Sequence, residues 1–145
     1  MSLTQQHYTK LEVEIQKFVS KYGADELIKW LNEYSKIISQ SDYNTFHRIQ
    51  KFTCETYNIP IADINNSKYS GEAEYADAKK IITFLTYRQT KLQKKHLTMI
   101  QGCTLRTIYN HIQDVEFRIK NPKAFKDFAI NYQNIINKLE AYGNP

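Results

Sequence analysis

Apolar residues recur at steps of three and four along almost the whole chain, and no stretch alternates convincingly between apolar and polar. A spacing near 3.6 fits helices and is incompatible with half-buried strands, so the pattern predicts an all-α protein. Only 4 Gly and 3 Pro occur among 145 residues, which leaves little material for tight strand turns. The pattern is clearest from Gly102 to Lys120. There Leu105, Ile108, Ile112, Val115 and Ile119 form one apolar stripe, opposite a polar face of Arg106, Thr107, Asn110, His111 and Asp114. Thr104 is suited to cap this helix, whose free N–H groups favour an anion such as a phosphate, and Gly102 suits a tight turn before it.

In chain order, Leu11, Ile15, Phe18 and Tyr22 predict a first helix that stops at Gly23. Leu27, Trp30, Leu31, Tyr34 and Ile38 predict a second, with Asp25 and Glu26 in its first turn, and the two read as an antiparallel hairpin over residues 1–40. Trp30 and the tyrosines follow the apolar spacing and read as core. A second region, 41–145, begins with a helix capped by Ser41 or Asp42. This helix packs Phe46, Ile49, Phe52 and Thr53 and stops near Asn58 and Pro60. Ile59, Ile61 and Ile64 are expected to tuck under neighbouring helices, and Asn65 to Gly71 reads as a loop.

A strong helix follows from about Glu72 to Gln89, with Ala78, Ile81, Ile82 and Leu85 inward and Lys79, Lys80, Thr83 and Arg88 outward. Leu92, Leu97 and Ile100 mark a shorter helix leading into Gly102, so two short amphipathic helices meet at a tight turn. That is the helix-turn-helix pattern, with the second helix as the reading element. Asn121 and Pro122 end it, and Phe125, Phe128, Tyr132, Ile135 and Leu139 predict a last helix.

The net charge of +5 is unevenly spread. Residues 1–78 carry 8 basic against 11 acidic residues (−3), residues 79–126 carry 11 against 2 (+9), and residues 127–145 carry 1 against 2 (−1). Basic charge concentrated around the proposed reading helix is the footprint of a polyanion partner, and a lysine-rich solvated surface is the alternative reading of the same charges. The amino-terminal hairpin lies in the net-negative part and is expected not to touch DNA. Lys79, Lys80, Arg88, Lys94 and Lys95 are the candidate phosphate contacts, Arg106, Thr107, Asn110 and His111 are the residues expected to enter a major groove, and Thr104 at the helix start is a further DNA-binding candidate.

Over about Ile49 to Phe128 the chain resembles the carboxy-terminal DNA-binding domain of the bacterial replication initiator DnaA, a helix-turn-helix of Trp-repressor-like type. The similarity rests on Cys54-Glu55-Thr56-Tyr57-Asn58-Ile59, a short turn at Ile61 to Ile64, Ala76 to Leu85, Thr107 to Glu116 and Lys120-Asn121-Pro122. It implies a DNA-binding replication or transcription regulator, with Lys79 and Lys80 at positions where the family contacts the DNA backbone. The family's reading motif falls on Cys103 to Thr107 and keeps only Thr107, so its own target sequence does not carry over. The family's basic loop corresponds to Asn65 to Gly71, which carries only Lys68.

No phosphate-binding Gly-rich loop ending in Gly-Lys-Ser/Thr occurs, and no catalytic constellation is recognisable. His7, His47, His96 and His111 have no metal-ligand spacing, and Cys54 and Cys103 read as reduced thiols. No run approaches the roughly 18 apolar residues of a membrane span, and no signal-peptide core is present at the amino terminus. A cytoplasmic, non-catalytic protein without cofactor or metal is therefore expected, with duplex DNA as partner. The alternative is a helical protein-interaction module that keeps the fold without binding DNA and holds a partner through its amino-terminal helices.

Overall fold

The computed structural model describes the backbone of residues 5–143 and the side chains from Thr9 onward, except those of Tyr34 and Ile37. The expected inward position of Tyr34 lies outside the described side chains. Seven α-helices and no strand occur among the described residues. The chain divides into two compact units, Met1–Ile38 and Ser39–Pro145.

The first unit is a pair of contacting helices, α1 (Gln5–Tyr22) and α2 (Ala24–Ile37). Gly23 joins them at φ +92°, a conformation that costs a residue with a Cβ about 1 kcal/mol or more. Their apolar stripes are present, but Leu11, Ile15, Tyr22, Trp30 and Leu31 all remain exposed rather than buried. Two helices alone can cover only one side of each other's stripe. Nor is this unit the acidic part of the chain, because residues 1–38 carry five Lys against five Asp and Glu. The negative balance lies in residues 39–78.

In the second unit, α3 (Gln40–Tyr57) is capped by Ser39, whose Oγ accepts from the Asp42 N–H at 3.1 Å. The helix thus starts one or two residues before the cap expected at Ser41 or Asp42, because Ser39 has the extended backbone a cap requires. At its other end Asn58 takes the left-handed conformation (φ 54°, ψ 45°), and the N–H of Ile59 donates to the Cys54 carbonyl at 2.9 Å. This closure satisfies end carbonyls and turns Ile59 into the core. Ile64 is also buried, but Ile61 is exposed in the short 3₁₀ turn Ile61–Asp63. The Asn65 to Gly71 stretch contains a second such turn, Ser67–Tyr69, capped by Asn66.

The central element is α4 (Ala73–Gln89), which packs against α3, α5 (Lys94–Gln101) and α6 (Leu105–Lys120). Its six residues from Ile81 to Thr86 are all buried, so this part has no solvent face. Thr83 was expected outside and lies inside, because helices cover both the face carrying Ile81 and Leu85 and the face carrying Thr83. Finally α7 (Lys126–Gly143) returns along α3 and α6, with Phe128 and Ile135 buried.

Candidate nucleic-acid interface

Gly102 closes α5 at φ 61°, ψ 39°, donating to the Thr98 carbonyl, and Cys103 donates to the same carbonyl at 3.3 Å. The chain then turns straight into α6. The Thr104 Oγ accepts from the Thr107 N–H at 3.2 Å and lies 2.9 Å from the Thr107 hydroxyl. Both hydroxyls are thereby committed to the cap, while no acidic residue in the first turn opposes an anion approaching the helix end.

Around this end the structure gathers cations from three elements. An open groove of about 720 Å³ is lined by Tyr87 and Arg88 at the end of α4, by Thr90 to Gln93 in the connection, by Lys94 and Lys95 at the start of α5, and by Leu105 and Tyr109 of α6. Four cations line it and no carboxylate does, so the groove is a local positive well rather than a mixed surface. None of the four makes an ion pair among the described residues. The Lys94 ammonium lies 4.3 Å from the centroid of the Tyr109 ring and 5.3 Å from that of Tyr87, which holds it at the groove wall. The Arg88 guanidinium lies 5.5 Å from the Phe84 ring. Arg106 and Asn110 are exposed on the adjoining outer face of α6.

Three expected contacts lie elsewhere. His111 faces inward, with Nδ1 3.1 Å from the Thr83 Oγ. Burial, reinforced by the nearby Lys80 and Lys79 charges, brings its pKa down to about 4, so it is neutral at pH 7 and unavailable to a groove. Lys80 is also internal: its ammonium is 2.7 Å from Asp114 Oδ2, with its side chain 22 % exposed. Asp114 accepts from Arg118 Nε at 3.2 Å as well, and Arg118 Nη1 donates to Asp77 at 3.0 Å. Burial alone would raise the Asp114 carboxyl, but the hydrogen bonds from Lys80 and Arg118 outweigh it and hold the pKa low. Lys80 and Arg118 therefore clamp α4 to α6. Lys79 makes no ion pair among the described residues, but it lines a separate small cavity with Gln50, Asn65 and Gln101.

Tyr87, Lys91 and Tyr109 line the groove but did not stand out as site residues. Lys91 belongs to the same lysine run as Lys94 and Lys95, and that run was its signal. Tyr109 and Tyr87 were obscured because aromatics at helical spacing are usually core. Cys54 and Cys103 are free thiols, the first buried and pushed up to about 11 by desolvation. No described helix is long and apolar enough to cross a membrane, and no three described His, Cys, Asp or Glu side chains are grouped to hold a metal. Comparison of the chain with family models, curated proteins and solved structures found no match.

Proposed function

We propose that the chain is a non-catalytic duplex-DNA-binding protein whose α5–turn–α6 unit is a helix-turn-helix of Trp-repressor-like type, related in arrangement to the DnaA carboxy-terminal domain. The observation that carries this reading is the carboxylate-free groove with Arg88, Lys91, Lys94 and Lys95 beside the start of α6. These cations would take backbone phosphates, as would the free N–H groups of the first turn of α6. Such contacts position the protein without reading sequence. Reading falls to Arg106, suited to the O6 and N7 of a guanine, and to Asn110, suited to adenine. Thr104 and Thr107 shape the helix end, and His111 and Lys80 hold α6 in place from behind.

A salt titration on mixed-sequence duplex tests the proposal. Four phosphates neutralised in the groove give a slope of log K against log salt of about −3.6, and Arg106 on phosphate would bring it to about −4.5. Wild-type protein that does not bind duplex at low salt ends this reading. A second reading, a helical interaction module, is favoured by the exposure of Leu105, Tyr109 and Phe117 on α6. It predicts weak, non-specific DNA binding and no effect of Arg106→Ala on sequence preference.

A further inference from the structure

The basic groove lies at the carboxy end of α4, and the amino end of the same helix carries a pocket of opposite character. It has a volume of about 420 Å³ and forms where the end of α3 meets the starts of α4 and α7. Glu74, Asp77 and Asp127 line it, and no cation does. At 1.5 Å per residue, Asp77 and Arg88 are about 16 Å apart along α4, so the two sites are separate. The nearby cations are already committed. Arg118 is shared between Asp77 and Asp114, and Lys138 donates to Thr56 at 3.1 Å and lies 3.9 Å from Glu55. Glu74 and Asp127 make no ion pair among the described residues.

Acidic residues in the first turn of a helix complement its dipole, and on that ground alone Glu74 and Asp127 call for no ligand. Tyr57 adds a different observation. Its side chain lines the pocket and is only 8 % exposed, and its hydroxyl has no hydrogen-bond partner among the described residues. Such atoms are costly and rare in folded proteins. Burial, followed by the Asp77 charge, pushes the hydroxyl up to about 12, so it stays neutral at pH 7. We propose that this pocket binds an aliphatic ammonium group, with Glu74, Asp77 and Asp127 taking its charge, the Tyr57 hydroxyl accepting from one N–H and Ile130 covering its stem.

The lining disfavours the other ligand classes. An anion would meet three carboxylates and no lining cation. A wholly apolar ligand would desolvate the acids and leave the Tyr57 hydroxyl unpaired. A metal ion needs several close ligands, and no three described His, Cys, Asp or Glu side chains are so grouped. An ammonium has three donors and no acceptor, which matches carboxylates and a hydroxyl, and Ile130, 60 % exposed, suits a carbon stem. The volume lies within the roughly 300–1,000 Å³ of small-ligand sites. A free polyamine and a lysine side chain of another protein carry this same group.

Amide NMR titration of the isotope-labelled full chain at fixed ionic strength tests the proposal, with diaminobutane, acetyl-lysine methylamide and the neutral butanediol as probes. At least one amine should saturate with a Kd of about 1 mM or tighter, with shifts centred on Tyr57, Glu74, Asp127 and Asn131, and the diol should not bind. Tighter binding of diaminobutane assigns the pocket to free polyamines; tighter binding of the lysine derivative assigns it to a protein's lysine. Asp127→Asn should weaken binding about three- to fivefold. Tyr57→Phe should weaken it about tenfold yet melt no lower than wild type, because it deletes an unpaired buried hydroxyl. If Tyr57→Phe does not fold, the exposed Asp127→Asn decides. The proposal is overturned if neither amine saturates, if the diol binds equally, or if Asp127→Asn binds as wild type does. Duplex binding is measured separately, and its absence leaves this pocket untouched.

Discussion

Lys80 and Lys95 carry the same charge and sit in the same basic segment, yet the first is paired inside the fold and the second is exposed on the groove proposed to take phosphates, and substituting each by Met separates the two roles. Lys80 donates to Asp114 at 2.7 Å, and Asp114 is also held by Arg118. A charge-assisted hydrogen bond of this kind contributes roughly 1.5–3 kcal/mol. The pair is a fifth to a third exposed, and solvent screening places it at the lower end, about 1–2 kcal/mol. For a unit of the size of Ser39–Pro145 each 1 kcal/mol is worth about 4 °C, so Lys80→Met should melt roughly 4–8 °C below wild type at equal protein concentration. Its salt slope for duplex binding should not change. Lys95 is exposed and makes no ion pair among the described residues, so Lys95→Met should melt with wild type to within the effect of about 0.5 kcal/mol. Its salt slope should fall in magnitude by about 0.9. Thermal circular dichroism and fluorescence anisotropy across a potassium chloride series measure both quantities. A Lys80→Met protein that melts with wild type and loses the same slope as Lys95→Met would refute the division of labour.

His111 is held neutral in the folded state with a pKa of about 4, against about 6.5 unfolded, so the unfolded chain binds the proton first as pH falls. Stability should therefore drop below pH 6.5, by about 2 kcal/mol at pH 5, and level off below about 4. Urea melts at pH 7.5 and 5 should show this loss shrinking in His111→Gln, and an undiminished loss would place the titrating group elsewhere. Arg106→Ala should cost about 1–3 kcal/mol on a preferred duplex and relax selectivity at one base pair, whereas a uniform loss on all duplexes would assign it to phosphate. Gly102→Ala forces a Cβ into φ 61°, with nothing nearby to clash, so the penalty is backbone strain of about 1 kcal/mol, read by denaturant midpoint.

The start of α6 was legible because Gly102, Thr104 and the stripe from Ile108 to Val115 are local signals for a stop, a cap and a buried face. Its outward face was not. Arg106 and Asn110 are exposed as expected, but the face turns toward Leu105, Tyr109, Gln113 and Phe117 rather than toward His111 and Asp114. Sequence reasoning sends polar side chains outward, and here two polar residues find their partners inside, Thr83 and Lys80, on α4 some thirty positions away. Pairing at that distance has no periodic signature. The same holds for Thr83, which is buried because three helices surround α4, a fact of assembly rather than of α4's own pattern. The stripes of α1 and α2 were readable as apolar, while their incomplete burial depends on how many helices share the unit.

The Thr83 hydroxyl reaches three groups: the Lys79 carbonyl at 2.9 Å, the Gln101 side chain at 2.7 Å and the His111 ring at 3.1 Å. With one proton and two lone pairs, it can satisfy all three if it donates to Lys79, while His111 Nδ1–H and the otherwise unpaired Gln101 Nε2, brought round by an amide flip, both donate to it. Gln101 ends α5 and His111 lies in the second turn of α6, so one side chain of a third helix fixes the angle between the two. The spacing between the lysines of α5 and Arg106 then behaves as a caliper set to one opening. In the proposed DNA-binding role, a duplex whose groove width differs from that setting would have to bend or narrow to fit, and its deformability would become part of what is selected.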